Sequence, residues 1–202
     1  MRRLRVAFLL LLIALMVPAV PQSDMKKSFN FFIGQKQIDD LEDLDLDKQL
    51  SLGVEMSFGG YDWPVMLAVD IMGSVADEEI FGDDYYYGYY DYDLESRTIE
   101  VDFGVRKTWE IAGSAVRPYL GAGIAGARTE LEIDDGFFGS ESVDANGFGF
   151  WFGGGIYWKL GDSFNLGLNV RHSTIDVEFD ELGDEDIDVG GWHGGLLLGW
   201  GF

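Results

Sequence analysis

With 202 residues, 47% of them hydrophobic and 15% aromatic, the chain is long enough for one folded domain and too apolar to be disordered. It has no cysteine, which excludes disulfide staples, a thiol nucleophile, thiolate metal sites and a lipidated N-terminal Cys. Its net charge of -22 excludes nucleic acid as a partner. Twenty-eight glycines argue against a helical protein.

The first residues have the parts of a secretory signal. Arg2, Arg3 and Arg5 form a basic start, and Val6 to Val17 is an apolar run of twelve. A membrane helix needs roughly 20 residues, so this run is too short to span. Residues 1–22 are therefore read as a cleavable signal peptide, with Ala19 at a fitting cleavage position, and residues 26–202 as the mature domain. No later run is apolar enough for a membrane helix, so any crossing is made by strands.

About eight segments then alternate with the period of a strand. Phe29, Phe31 and Ile33 alternate with Asn30, Phe32 and Gly34. Leu50, Leu52, Val54, Met56 and Phe58 oppose Gln49, Ser51, Gly53, Glu55 and Ser57. After the turn signal at Gly59 to Asp62, Val65, Leu67, Val69 and Ile71 oppose Met66, Ala68, Asp70 and Met72. Ile99, Val101, Phe103 and Val105 oppose Glu100, Asp102, Gly104 and Arg106, which puts three charges in mid-strand. The fifth segment, Val116 to Ile133, is ambiguous in parity near Arg128. In the sixth, Phe148, Phe150, Phe152, Ile156, Trp158 and Leu160 oppose glycines, Trp151 and Tyr157. The seventh sets Phe164, Leu166, Leu168 and Val170 against Asn165, Gly167, Asn169 and Arg171. Parity slips at Ile175, Val177 and Phe179, which predicts a bulge near His172 to Thr174. The last, Gly190 to Phe202, places Trp192, Leu196, Leu198, Trp200 and Phe202 on one face and mostly glycine, with His193, on the other.

Connections alternate in length. Residues 59–63, 109–114 and 161–162 are short, whereas 37–47, 77–94, 133–145 and 180–186 are longer. The four longer ones hold 6, 7, 4 and 5 Asp or Glu, 22 of the 36 in the chain, and no Lys or Arg. The remaining 14 acids balance 14 Lys and Arg, so the net charge belongs to one rim. Without the signal the chain carries -25, since three arginines leave with it.

Alternation alone does not say which face meets solvent, but volume does. Eight stripes of large apolar side chains cannot enter an eight-strand barrel, whose interior only just admits side chains. The small, glycine-rich faces can. A charge at the lipid-facing midplane costs roughly 2–4 kcal/mol. The expectation is an all-β, antiparallel, up-and-down transmembrane β-barrel, apolar outside, its lumen filled by small side chains and a polar network. Glu55, Asp70, Glu100, Asp102, Arg106, Asn169, Arg171 and His193 would form that network.

The segment RPYLGAG at 117–123 and the terminal Trp200-Gly-Phe202 give the chain a resemblance to eight-stranded bacterial outer-membrane barrels of the OmpA/OmpX type, without a periplasmic domain. The resemblance implies a location in the outer membrane and a monomer. It also implies insertion by the outer-membrane assembly machinery, with Trp200 and Phe202 in the recognised signal. Outer-membrane lipid and lipopolysaccharide are the expected partners, and divalent cations at the acidic rim remain open.

Chemistry is sparse. Val170-Arg-His-Ser-Thr174 resembles, loosely, the histidine strand of outer-membrane lipid A deacylases, but Thr174 and Ile175 depart from the pattern and no acid is placed. His172 reads as a rim histidine. Asp43, Asp45 and Asp47, and Asp184, Asp186 and Asp188, fail the calcium-loop template, because Lys48 and Val189 occupy its glycine position. No cofactor, metal site or catalytic residue is called for. The Tyr-rich Asp83–Asp93 reads either as a sticky surface or as a hairpin extending beyond the membrane. The primary reading is a structural or surface-interaction barrel, with a narrow cation-preferring pore and a lipid A-modifying hydrolase as alternatives.

Overall fold

The computed structural model describes residues 25–38, 46–60, 62–84, 88–134, 140–178 and 186–201. The signal-peptide reading, Phe179 and Phe202 therefore lie outside the described residues. Among the described residues nine strands form: β1 (Met25–Gln37), β2 (Lys48–Gly60), β3 (Met66–Asp84), β4 (Gly88–Thr108), β5 (Val116–Asp134), β6 (Ser140–Leu160), β7 (Phe164–Glu178), β8 (Asp186–Asp188) and β9 (Gly191–Gly201). Each long strand pairs antiparallel with its neighbours in sequence, and β1 pairs with β9 from Ser28↔Gly201 to Gln37↔Trp192. That last ladder closes the sheet into an eight-strand barrel with no free edge, the form that satisfies every strand inside a bilayer. The ninth strand, β8, is a three-residue arm on the top of β7.

The chirality of the backbone is relieved at the short turns. Gly113 and Gly161, in the β4–β5 and β6–β7 turns, hold φ of 74° and 72°, where other residues are strained. At the opposite end the strands run further than their sequence suggests. The β3–β4 ladder continues to Asp84↔Gly88, so most of the segment 77–94 is hairpin and not loop. Gly88 stands eleven residues before Ile99, roughly 36 Å of strand at about 3.3 Å per residue. The described backbone of the Tyr-rich segment, residues 83–84 and 88–93, thus takes the extended-hairpin form, while its tyrosine side chains lie outside the described part.

Alternation is obeyed in all eight strands. Outward residues form an apolar belt, with Phe148 85% and Phe150 73% exposed and with Ile99, Leu120, Leu168 and Leu198 all on the same surface. Trp200 sits low in this belt, edge-on to Phe31 at 6.4 Å and to Phe164 at 6.1 Å. Above the belt the outward face turns ionic, with Arg97 paired to Glu95 and Arg128 to Asp144 at 3.0 Å. Arg128 faces outward as the direct cross-strand partner of Ile99, which settles the parity of β5.

The expected bulge at His172 to Thr174 is absent. The β6–β7 ladder runs without interruption from Leu160↔Phe164 to Gly147↔Val177. Ile175 and Val177 keep the inward parity of Arg171 and Ser173, and are buried at 0% and 1%. The sequence pattern misleads because these two apolar residues face an apolar part of the lumen and not lipid.

Candidate functional site

The lumen is two layers of different chemistry. In the lower one, Arg106 donates to Asp70 at 2.8 Å and to Ser57 at 3.0 Å, and lies 3.3 Å from Glu55. Arg171 donates to Glu100 at 3.0 Å and to Asp102, and reaches Asp70 at 3.5 Å. Lys36 donates to Glu100 at 3.2 Å. These four carboxylates and three cations have side chains 0–1% exposed. Buried charges survive only when paired and hydrogen-bonded, and here the count leaves one carboxylate in excess. His193 lies 3.4 Å from Glu100, close enough for a charge contact though not aligned for a hydrogen bond.

Neutral groups complete this layer. Asn169 donates to Glu55 at 2.8 Å and to the Tyr119 hydroxyl at 2.6 Å. Tyr119 and Tyr157 stack at 4.3 Å, while Arg106 lies 5.3 Å over the Tyr119 ring and Arg171 5.2 Å over Trp151. Glycines make room for these rings. A Cβ on Gly155 would fall 2.8 Å from Tyr119, and one on Gly121 2.9 Å from Trp151. The lumen is therefore not filled by small side chains, as expected, but by large ones seated against glycine.

All eight residues read from sequence as the polar network, Glu55, Asp70, Glu100, Asp102, Arg106, Asn169, Arg171 and His193, are buried on the inward face. Lys36, Tyr119 and Tyr157 join them; alternation puts Tyr157 on the inward face of its strand, whereas Lys36 and Tyr119 escaped the sequence reading. Lys36 shares the parity of Asn30 and Phe32, so extending β1 by two more alternations would have exposed it.

The upper layer is an apolar stopper. Ile38, Leu46, Leu94, Leu131, Ile175, Val177 and Val189 pack together inside the extracellular mouth. The chain after β8 folds inward to complete it. The Val189 amide donates to the Ile175 carbonyl at 3.0 Å, and the Asp188 carboxylate accepts from the amides of Ile175 and Gly190, both at 2.8 Å. Lys36 joins the layers, since its ammonium also donates to the Val189 carbonyl at 2.6 Å. Asp188, part of one failed calcium pattern, thus serves as a backbone cap, and Asp47 of the other lies 3.4 Å from Lys48. Among the described residues no cluster of three or more acids and histidines could hold a metal ion.

On the outer surface, His172 stacks on Phe152 at 5.5 Å and meets Trp192 edge-on at 4.7 Å. Its Nδ1 has no hydrogen-bond partner, and Ser173 points into the lumen. At the periplasmic end, Glu110 accepts from Lys26 at 3.2 Å. That bond, with Arg117 and Lys159 nearby, holds the Glu110 carboxyl below the ordinary carboxylate range.

Comparison with solved structures supports the architecture. A major outer membrane protein from Thermus thermophilus superposes with a TM-score of 0.59 at 13% identity, covering 88% of this chain and 98% of that one. The outer membrane protein OprG from Pseudomonas aeruginosa gives 0.52 at 14%, covering 89% and 94%. At such identities the likeness speaks for fold alone. No curated protein matches the sequence. Residues 7–199 match the outer membrane protein beta-barrel domain. The closed eight-strand barrel, its apolar outer belt and this match over nearly the whole chain establish it as an outer-membrane protein belonging to the outer membrane protein beta-barrel family.

Proposed function

We propose that the barrel is a sealed, non-conducting mount whose acidic extracellular edge is the working surface, in a structural or surface-interaction role. The observation that carries this reading is the double closure of the lumen: an ion-paired layer with side chains 0–1% exposed, roofed by the apolar stopper and tied to it by Lys36. A conducting path would need both layers to part. The upper strand ends and the segments joining them, residues 37–47, 77–94, 133–145 and 180–186, carry 22 of the 36 acids, so a partner there is basic or is bridged by cations. Lipopolysaccharide phosphates bridged by divalent ions fit that chemistry. In this reading the protein acts as a monomer, inserted by the assembly machinery through the strand that carries Trp200 and Phe202.

Conductance of the refolded protein in planar bilayers tests the reading. A silent barrel is expected. Stable cation-selective steps from the unmodified protein would replace it with the narrow-pore alternative. The hydrolase alternative has less support, because the unpartnered Nδ1 of His172 leaves Thr174 with no oriented base. Lipid A incubated with the purified protein should remain unchanged.

A further inference from the structure

We propose that the outer face of β4 to β7 and β9 binds one anionic phospholipid of the inner leaflet, with an acyl chain in an apolar groove and the phosphate beside Lys107.

The groove follows from two adjacent rows of the outer surface. One row runs Lys107↔Leu120↔Gly154↔Val170↔Gly194 and the next Val105↔Ala122↔Phe152↔His172↔Trp192. Large residues are interrupted by Ala122 and Gly154, which sink the surface to the backbone. Leu120, Phe152, Val170 and Trp192 stand around them, enclosing a depression of about 550 Å³. Leu120 leans over the gap, so that a Cβ on Gly154 would lie 2.5 Å from its Cδ2. Hydrocarbon against hydrocarbon has no hydrophobic driving force, so such a groove selects by shape and dispersion contacts.

Selection by charge occurs at one end. Lys107, partly exposed on the lipid-facing parity of β4 and two residues past Val105, makes no ion pair among the described residues. It lies at the periplasmic interface, where a lysine reaches headgroups by extending along the apolar surface. Its surroundings have the same sign. Among the described residues, Lys26, Lys27, Lys107, Arg117 and Lys159 face Asp62, Glu110 and Asp162 at that end, whereas the opposite rim is acidic. An anionic phosphate supplies the partner that the protein withholds from Lys107. Lipopolysaccharide, in the other leaflet, is on the wrong side for it.

Native mass spectrometry tests this with barrel released from mixed micelles holding equal phosphatidylglycerol and phosphatidylethanolamine. One retained phosphatidylglycerol per barrel is expected, at about fivefold preference, the factor expected of one lysine near an anionic surface. Lys107→Gln should bring the ratio to parity by lowering retention of phosphatidylglycerol alone, whereas Gly154→Leu, which fills the groove, should lower retention of both lipids. Lys27→Gln, outside the groove, should change neither. Folding of each variant is checked by heat-modifiable gel mobility, and brominated acyl chains should quench Trp192 in the parent more than in Gly154→Leu. Absence of retained lipid, equal retention of the two lipids by the parent, or an unchanged preference in folded Lys107→Gln would overturn the proposal.

Discussion

The two layers of the lumen face the same axis and are equally dry, yet they are closed by opposite means. The lower layer is held by charges that must all be present, because Arg171 serves three acids, Arg106 two and Lys36 one, and each acid is cut off from water. The upper layer is held by area, so each of its side chains can be shortened without stranding another. The contrast teaches that an interior of one diameter can be sealed either way, with very different tolerance to substitution. The ionic layer is intolerant and the apolar one graded.

Breaking the ionic layer should produce the largest effect. Arg171→Met leaves Asp102 without its cation and takes one from Glu100 and Asp70. A loss of about 3–5 kcal/mol is expected, the cost of removing one partner from a buried pair. Urea unfolding in lipid vesicles measures it. Adding Glu100→Gln and Asp102→Asn should return part of the loss, which would assign the cost to stranded charge and not to lost packing.

Shortening the stopper comes next. Ile175→Ala, in a side chain 0% exposed, should cost about 2–4 kcal/mol by removing hydrocarbon and leaving space. The loss should not be rescued by any single change in the ionic layer, since the layers meet at Lys36 with Val189 and at Arg171 with Trp151, and the Ile175 side chain has no polar group that such a change could strand or pair. If Ile175→Ala proved more damaging than Arg171→Met, the ranking of the layers would be reversed.

The smallest effect belongs to the exposed periplasmic cluster, which shows what an ion pair does outside the lumen. Glu110→Gln should lower stability by less than about 1 kcal/mol, because the pair is solvent-exposed and screened. The Glu110 carboxyl is held below its ordinary range, so its contribution is present above the unfolded carboxylate pKa of about 4.3 and disappears as pH falls through the lower folded value. The gap between parent and variant should therefore close on acidification toward pH ~3, and high salt should shrink it at pH 7.

Much of the site was legible before the fold. Glu55, Asp70, Glu100 and Asp102 each sit opposite large apolar neighbours in a period-2 pattern, which is enough to place them on the inner face. The inward glycines of β6 and β9 read correctly, but their purpose did not: Gly155 accommodates Tyr119 and Gly195 accommodates Phe32, whose rings come from other strands. Lys36 was hidden because alternation in β1 is weak. Ile175 and Val177 were misread because a strand pattern reports hydrophobicity, not its cause, and an apolar lumen imitates a lipid face.

The sequence by itself determined that the chain crosses a membrane as about eight strands and which side of most of them is apolar, and it led to the expectation that the acidic charge collects at one end. These are local properties, set by a two-residue repeat and by the lengths of the connections. Only the tertiary structure decided which acid meets which cation, since Arg171 and Asp70 are 101 residues apart and meet through the relative register of several ladders. It alone also decided that the lumen is stoppered, because the residue that ties stopper to network, Lys36, lies 153 positions from the carbonyl it holds. Alternation specifies a face; closure of the barrel specifies a partner.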